Sequence, residues 1–198
     1  MLQNISGVIL AGGKNSRFQG KQKALLEMKG QSIIEHTLSV FQKLFDDVFI
    51  ISNTPDEFRE ITDVPIYSDV YKNIGPLGGI HSALSNTKNE AVFVVAADMP
   101  FVTEAVVMQL YAYYNQRDVD ILIPRVNLNI EPLHAIYRTS IRPKLELFLN
   151  ETENYSIRKL FDLVRTEYYL IPDVLTAENP FVNINTPEEY AKYFSKRK

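Results

Sequence analysis

Residues 8–23 read Val-Ile-Leu-Ala-Gly-Gly-Lys-Asn-Ser-Arg-Phe-Gln-Gly-Lys-Gln-Lys. An apolar run from Ile5 to Ala11 predicts a buried first strand that stops abruptly at Gly12-Gly13. In open α/β sheets such a strand delivers the chain to the carboxyl edge, where ligands bind. Two successive glycines let the backbone turn sharply and bring N–H groups close to an anion. Lys14, Arg17, Lys21 and Lys23 then place four cations in ten residues, with no acid among them. Taken singly, the glycines also read as a tight turn and the cations as a solvated loop; together they ask for a polyphosphate. The spacing matches neither Gly-x-x-x-x-Gly-Lys-Ser/Thr nor Gly-x-Gly-x-x-Gly, so the ordinary P-loop and Rossmann cofactor readings lose support.

Outward from this stretch, short β-type runs alternate with helical segments. That pattern predicts a parallel sheet covered on both faces. Ser32 to Phe45 is expected as a helix, with Ser32 and Glu35 spaced for a capping box and Ile33, Ile34, Leu38, Phe41 and Leu44 near one face. Strands are expected at Asp47–Ser52 and Ile66-Tyr67, with a short helix over Pro55–Ile61. Ala91 to Ala97 shows no alternation, as befits a central strand buried on both sides. A helix over Thr103–Tyr114 and a strand over Asp120–Pro124 follow. The remainder, with a strand near His134–Tyr137, helices near Thr139–Leu149 and Ser156–Leu163 and a last helix from Thr186, is assigned to the far edge of the sheet.

Two later segments reach the same carboxyl edge. Asp98 follows directly on the Ala91–Ala97 strand, and a hard cation such as Mg²⁺ takes one or two carboxylates together with phosphate oxygens. The alternative is an aspartate that merely caps the turn before Pro100. Asp69 precedes Gly75-Pro76-Leu77-Gly78-Gly79, whose glycines allow a ligand close to the start of a helix, where N–H groups favour anions. Asp69 reads as a contact to a base, a ribose or a metal-bound water, or as a simple turn residue.

Composition restricts the chemistry further. The 198 residues are 45% hydrophobic and 23% charged, with a net charge of −3, values of an ordinary globular chain rather than a DNA-coating one. There is no cysteine, which removes thiol nucleophiles, disulfides and Cys-based metal sites. No linker or repeat divides the chain, so one domain over residues 1–198 is expected. Neither a secretory signal nor a membrane span is evident, and a cytoplasmic protein that binds neither membrane nor nucleic acid is the expectation.

The ordered set Leu-Ala-Gly-Gly-x-x-x-Arg, Lys-Ala-Leu-Leu, Asp69, Gly-Pro-Leu-Gly-Gly, Asp-Met-Pro-Phe and Asn-x-Asn-Thr-Pro-Glu-Glu resembles the molybdenum cofactor guanylyltransferases from about Ile5 to Tyr190. More widely, it resembles nucleotidyltransferases that activate sugar phosphates. The resemblance implies a three-layer, Rossmann-like nucleotidyltransferase fold with a mostly parallel central sheet. It also implies transfer of GMP from GTP to Mo-molybdopterin with release of pyrophosphate. By position, Leu10, Ala11, Gly12 and Gly13 would line the nucleotide, Lys23 would hold its phosphates, and Arg17 would neutralise the leaving pyrophosphate. Asp69 would contact guanosine, and Asp98 would hold Mg²⁺. Asn183 and Asn185 would face the second substrate or the metal. Transient contact with the proteins that insert and deliver the cofactor is the further partnership implied.

Two positions depart from the family pattern: Phe18-Gln19-Gly20 replaces Met-Gly after the arginine, and Gln22 replaces an aspartate before Lys23. Alternatives are a cytidylyltransferase of the same pterin, a sugar-phosphate enzyme, or a nucleotide-binding regulator without catalysis. Gly12, where pyrimidine-using relatives often carry alanine, leaves room for a purine. A phosphate nucleophile needs no histidine base, so His36 and His81 are expected to be structural, while His134 is a candidate to face the substrate.

Overall fold

The computed structural model describes residues 1–12, 22–177 and 179–194. Four parallel strands form one half of the main sheet: β1 (Ile5–Leu10), β4 (Val48–Ile51), β5 (Ile66–Tyr67) and β6 (Ala91–Ala96). Between β1 and β4 lie a small antiparallel ribbon, β2 (Glu27–Met28) with β3 (Gln31–Ser32), and helix α1 (Ile33–Leu44). Helix α2 (Pro76–Asn86) precedes β6, and α3 (Glu104–Tyr114) follows it. The distal half comprises β7 (Ile121–Val126), β8 (Asn129–Ile130), β9 (His134–Arg138), α4 (Arg142–Glu151), α5 (Ile157–Leu163) and β10 (Thr166–Leu170). Helices α6 (Asp173–Thr176) and α7 (Pro187–Phe194) complete the chain. The strand order is β10-β7-β9-β6-β1-β4-β5, with β8 paired to β7.

Period-two alternation along the buried strands divides the core between the two faces. Ile9 in β1 and Phe93 and Val95 in β6 pack under α1 and α3, against Phe41, Phe45, Val106 and Leu110. Val8, Val92 and Val94 point the other way, to Leu77, Ile80 and Leu84 of α2 and Leu145 and Leu160 of α4 and α5. Every residue of β1 and β6 is buried, which explains why neither shows polar alternation in sequence. The expected capping box of α1 is present: Glu35 N–H donates to Ser32 Oγ at 3.4 Å, and Ser32 N–H donates to Glu35 Oε2 at 2.6 Å. No helix among the described residues is long and apolar enough to cross a membrane.

Two expectations need correction. The strand from His134 is not at the far edge: β9 inserts antiparallel between β6 and β7 and is buried over its first four residues. The edge belongs to β10, whose half-exposed sequence Thr-Glu-Tyr-Tyr-Leu carries no strong apolar signal. Pro55–Ile61 forms only a 3-10 turn, Pro55–Glu57, because Thr54 supplies no side-chain cap and so short a segment gains too few hydrogen bonds to offset helix nucleation, although Phe58 just beyond the turn is buried.

Candidate active site

The carboxyl ends of β1, β4 and β6 open into a cleft of about 670 Å³, lined by Leu10, Ala11, Gly12, Lys23, Asp69 and Asp98 among others. Strand pairing continues just past β1. Ala11 N–H donates to Ile51 O at 2.8 Å, and Ala97 N–H donates to Leu10 O at 3.0 Å. This fixes Ala11 and Ala97 side by side, one residue before Gly12 and Asp98. A Cβ placed on Gly12 would meet nothing within 4 Å, so this position adjoins open space. Gly13 and Arg17 lie outside the described residues, as do the cations Lys14 and Lys21.

Lys23 opens a 3-10 turn, Lys23–Leu25, that carries its side chain across the mouth of the cleft. Its Nζ lies 2.8 Å from Asp98 Oδ2 and donates to Asn185 Oδ1 at 2.9 Å. Both members of the ion pair keep about a fifth of their side-chain surface in solvent (20% and 22%). Asp98 is tied to the late segment a second time, because its carbonyl accepts from Ile184 N–H at 2.9 Å. Residues separated by 75 and 162 positions therefore meet at one ammonium group. Gln22, the departure beside Lys23, donates from Nε2 to Thr54 Oγ1 at 2.8 Å and fastens the turn to the loop after β4. An aspartate there has no proton to donate in its ionised form.

Across the cleft stands Asp69, clasped by Asn53. Asn53 Nδ2 donates to Asp69 Oδ2 at 2.7 Å, and Asp69 N–H donates to Asn53 Oδ1 at 3.1 Å. The other carboxylate oxygen, Oδ1, is buried and has no hydrogen-bond partner among the described residues. Desolvation raises the Asp69 pKa above the usual carboxylate value, opposed by the Asn53 hydrogen bond and by the charge of Lys72. Sequence reasoning missed Asn53; the available signal was a polar residue two places beyond a buried strand that ends at the ligand-binding edge.

The second glycine pair serves packing more than ligand approach. A Cβ on Gly78 would lie 2.4 Å from the carbonyl oxygen of Tyr71, and one on Gly79 would lie 3.2 Å from Leu10 Cδ1. Gly75, at φ 69°, makes the turn into α2, and with Pro76 and Gly79 it brings the start of that helix to the cleft wall.

None of the three histidines faces the cleft floor. His36 Nε2 lies 3.0 Å from the Val102 carbonyl. His81 Nε2 lies 3.1 Å from Glu146 Oε1, and its ring packs edge-on to Tyr71. His134 is fully buried between Phe93 and Phe181, with ring centroids 5.5 and 4.8 Å away, and among the described residues neither ring nitrogen has a hydrogen-bond partner. Burial lowers its pKa from 6.5 to about 3. The unfolded chain therefore takes up a proton below pH 6.5 that the folded chain refuses until about pH 3. Stability present above pH 6.5 is lost as pH falls through that window, at up to about 1.4 kcal/mol per pH unit. We expect His134→Phe, measured by urea unfolding at pH 7.5, 6 and 5, to flatten this dependence and to be no less stable at neutral pH. An unchanged slope would mean that His134 is not held neutral.

A discrete anion-and-cation cleft at the carboxyl edge of a three-layer sheet defines an α/β nucleotidyltransferase. Residues 7–167 match the MobA-like NTP transferase domain, and the chain belongs to that family. It is 38% identical over 196 residues to a probable molybdenum cofactor guanylyltransferase from Clostridium perfringens, covering 97% of each chain. It is 34% identical to another of that name from Carboxydothermus hydrogenoformans, covering 96% of this chain and 95% of the other. Among solved structures, molybdopterin-guanine dinucleotide biosynthesis protein A from Archaeoglobus fulgidus superposes with a TM-score of 0.81 at 25% identity, over 96% of both chains.

Proposed function

We propose that this enzyme transfers GMP from GTP to Mo-molybdopterin, releasing pyrophosphate. The observation that carries the reading is the placement of Lys23 and Asp98 together at the carboxyl ends of β1 and β6, opposite the clasped Asp69. The relatives' names supply the acceptor. In the reaction, a terminal phosphate oxygen of the acceptor attacks the α-phosphorus of GTP. The bond from that phosphorus to the β-phosphate bridging oxygen breaks, and pyrophosphate leaves with the electron pair. The nucleophile is already ionised near neutral pH, so the residues have to position and neutralise rather than abstract a proton.

In this reading Leu10, Ala11, Gly12 and Gly13 follow the nucleotide, and Lys23 balances phosphate charge as the two anions approach. Arg17 offsets the charge of the leaving group. Asp98 fits a hard divalent cation of the Mg²⁺ type, because one carboxylate at an edge open to phosphate oxygens suits an ion that takes its remaining ligands from substrate and water. Bound there, the ion would polarise phosphoryl oxygens and neutralise developing charge. Asp69 reads the base. The N1–H and 2-amino groups of guanine are two donors on one edge, which suits a carboxylate that only accepts, whereas cytosine presents a ring acceptor on that edge. Asn53 keeps Asp69 in place, and Asn183 and Asn185 serve the second substrate or the metal. The same reading makes residues 1–198 one nucleotidyltransferase unit at work in the cytoplasm, meeting cofactor insertion and delivery proteins transiently.

A panel of GTP, CTP, ATP and UTP with Mo-molybdopterin, followed by pyrophosphate release with and without Mg²⁺, tests the reading. GTP should be preferred and release should depend on the metal. Preference for CTP would overturn the base assignment, and tight GTP binding without release would make the protein a regulator. Turnover with a sugar phosphate in place of the pterin would overturn the acceptor.

A further inference from the structure

Resting on that reading, three features of the cleft point to an ordered entry of metal and nucleotide. The first is that the carboxylate assigned to the metal is already engaged, with Lys23 Nζ 2.8 Å from Asp98 Oδ2. The same ammonium is also assigned to the triphosphate, and it cannot neutralise both at full strength. The second is that Lys23 is held in this position from another direction. Asn185 Oδ1 accepts from it at 2.9 Å, and Asn185 is itself fixed by Glu189. Glu189 Oε2 accepts from the backbone N–H groups of Asn185 and Thr186 at 2.6 and 3.2 Å, while Glu189 N–H donates to Thr186 Oγ1 at 3.2 Å. This is the reciprocal capping box at the start of α7, and it turns a helix terminus into a brace for a side chain of the site. The third is that no group of three or more His, Asp or Glu among the described residues could hold a metal ion alone.

We infer that Lys23 is the resting occupant of the Asp98 carboxylate, parked there by Asn185, with Glu189 as a positioning residue one step further back. A free divalent ion must displace an internal cation from Asp98, and no ready-made cluster of three ligands among the described residues compensates for it. A triphosphate reverses the balance. It draws the Lys23 ammonium to its own oxygens, frees Asp98, and supplies the further ligands a hard cation requires. Metal and nucleotide therefore bind with positive coupling, and by linkage each strengthens the other equally.

The test uses the full chain and Mn²⁺ as the probe, with free Mn²⁺ read by electron paramagnetic resonance and no turnover needed. Without nucleotide, the wild type should bind Mn²⁺ weakly. Lys23→Met should bind it more tightly by at least about tenfold, since an opposite charge within 4 Å of a carboxylate shifts its affinity for a competing cation by that order. Asn185→Ala should move in the same direction by a smaller factor. Glu189→Ala should follow Asn185→Ala, whereas Glu189→Gln, which keeps an acceptor oxygen, should behave as the wild type. With a non-hydrolysable GTP analogue, the wild type should gain Mn²⁺ affinity and Lys23→Met should lose most of that gain. Unchanged or weaker Mn²⁺ binding by Lys23→Met and Asn185→Ala without nucleotide overturns the inference. If instead Asp98→Ala with the analogue binds Mn²⁺ as tightly as the wild type, the metal assignment under it fails. Thermal melting of each variant separates loss of the site from loss of the fold.

Discussion

Replacing Asp98 by asparagine should lower pyrophosphate release by about 10³-fold while leaving the fold intact, and Lys23→Ala should lower it by about 10²-fold or more. Two anions must be brought together in the reaction, so charge at the cleft floor acts on the transition state more than on nucleotide binding. The substituted amide would keep the size of the side chain and a hydrogen-bonding oxygen towards Lys23, but not the negative charge that holds a hard cation. The ion pair is partly solvated, which keeps its own contribution to stability small; activity should therefore fall far more than melting temperature. Steady-state pyrophosphate release alongside thermal melting checks the separation. Full activity in Asp98→Asn would remove Asp98 from the catalytic machinery, and a parallel collapse of melting temperature would make the pair structural.

Asp69→Asn should act on the choice of base instead of on the chemical step. An ionised carboxylate offers acceptors only, whereas asparagine presents one acceptor and one donor group. With Asn53 already occupying one oxygen of Asp69, the exchange leaves guanine facing a group that matches one of its two donors at best. A site that hydrogen-bonds a substrate discriminates strongly because a mismatch strands buried polar groups, and we expect kcat/KM for GTP to fall by about 10²-fold, carried mainly by KM. Preference over CTP should shrink by a similar factor. Burial raises the Asp69 pKa, so the guanine preference of the wild type should weaken with acidification at a higher pH than an ordinary aspartate would produce. Nucleotide competition assays between pH 4.5 and 8 at about half-unit steps would follow this loss. Retention of full GTP preference in Asp69→Asn would move base recognition elsewhere in the cleft.

The parts of the fold legible in sequence were those where burial is complete. β6 is a continuous apolar run and β1 is apolar except for the buried Ser6, because both faces are covered, and α1 announces its start with Ser32 and Glu35. Strand order was not legible. Nothing local in His134–Arg138 says that this segment pairs with β6 in the antiparallel sense, since that choice is made by partners about 40 residues away along the chain. In the cleft, Gly12, Asp69 and Asp98 could be named because each follows a strand or a glycine turn, and Leu10, Ala11 and Lys23 because of the family resemblance; the structure gathers all six around one cavity. The contacts that orient them could not. Asn53 grips Asp69 from a different loop, and Asn185 reaches Lys23 from the far end of the chain. The glycines at 78 and 79 show the limit from the other direction: their lack of a side chain is explained by Tyr71 and Leu10, which no spacing rule identifies.

The antiparallel course of β9 separates two parts of the cleft wall in construction. Parallel neighbours are joined by helices, so changing one connection disturbs the packing of a whole layer. β9 reaches the ligand-binding edge through the return from β8, over Glu131–Leu133, with no helix involved. Leu133 stands in the cleft wall at the foot of that return. Residues 127–133 can therefore be lengthened, shortened or recharged while the strands that carry Gly12, Asp69 and Asp98 keep their register. The cleft wall at Leu133 is thus a replaceable part, alterable without rebuilding β1, β4 and β6.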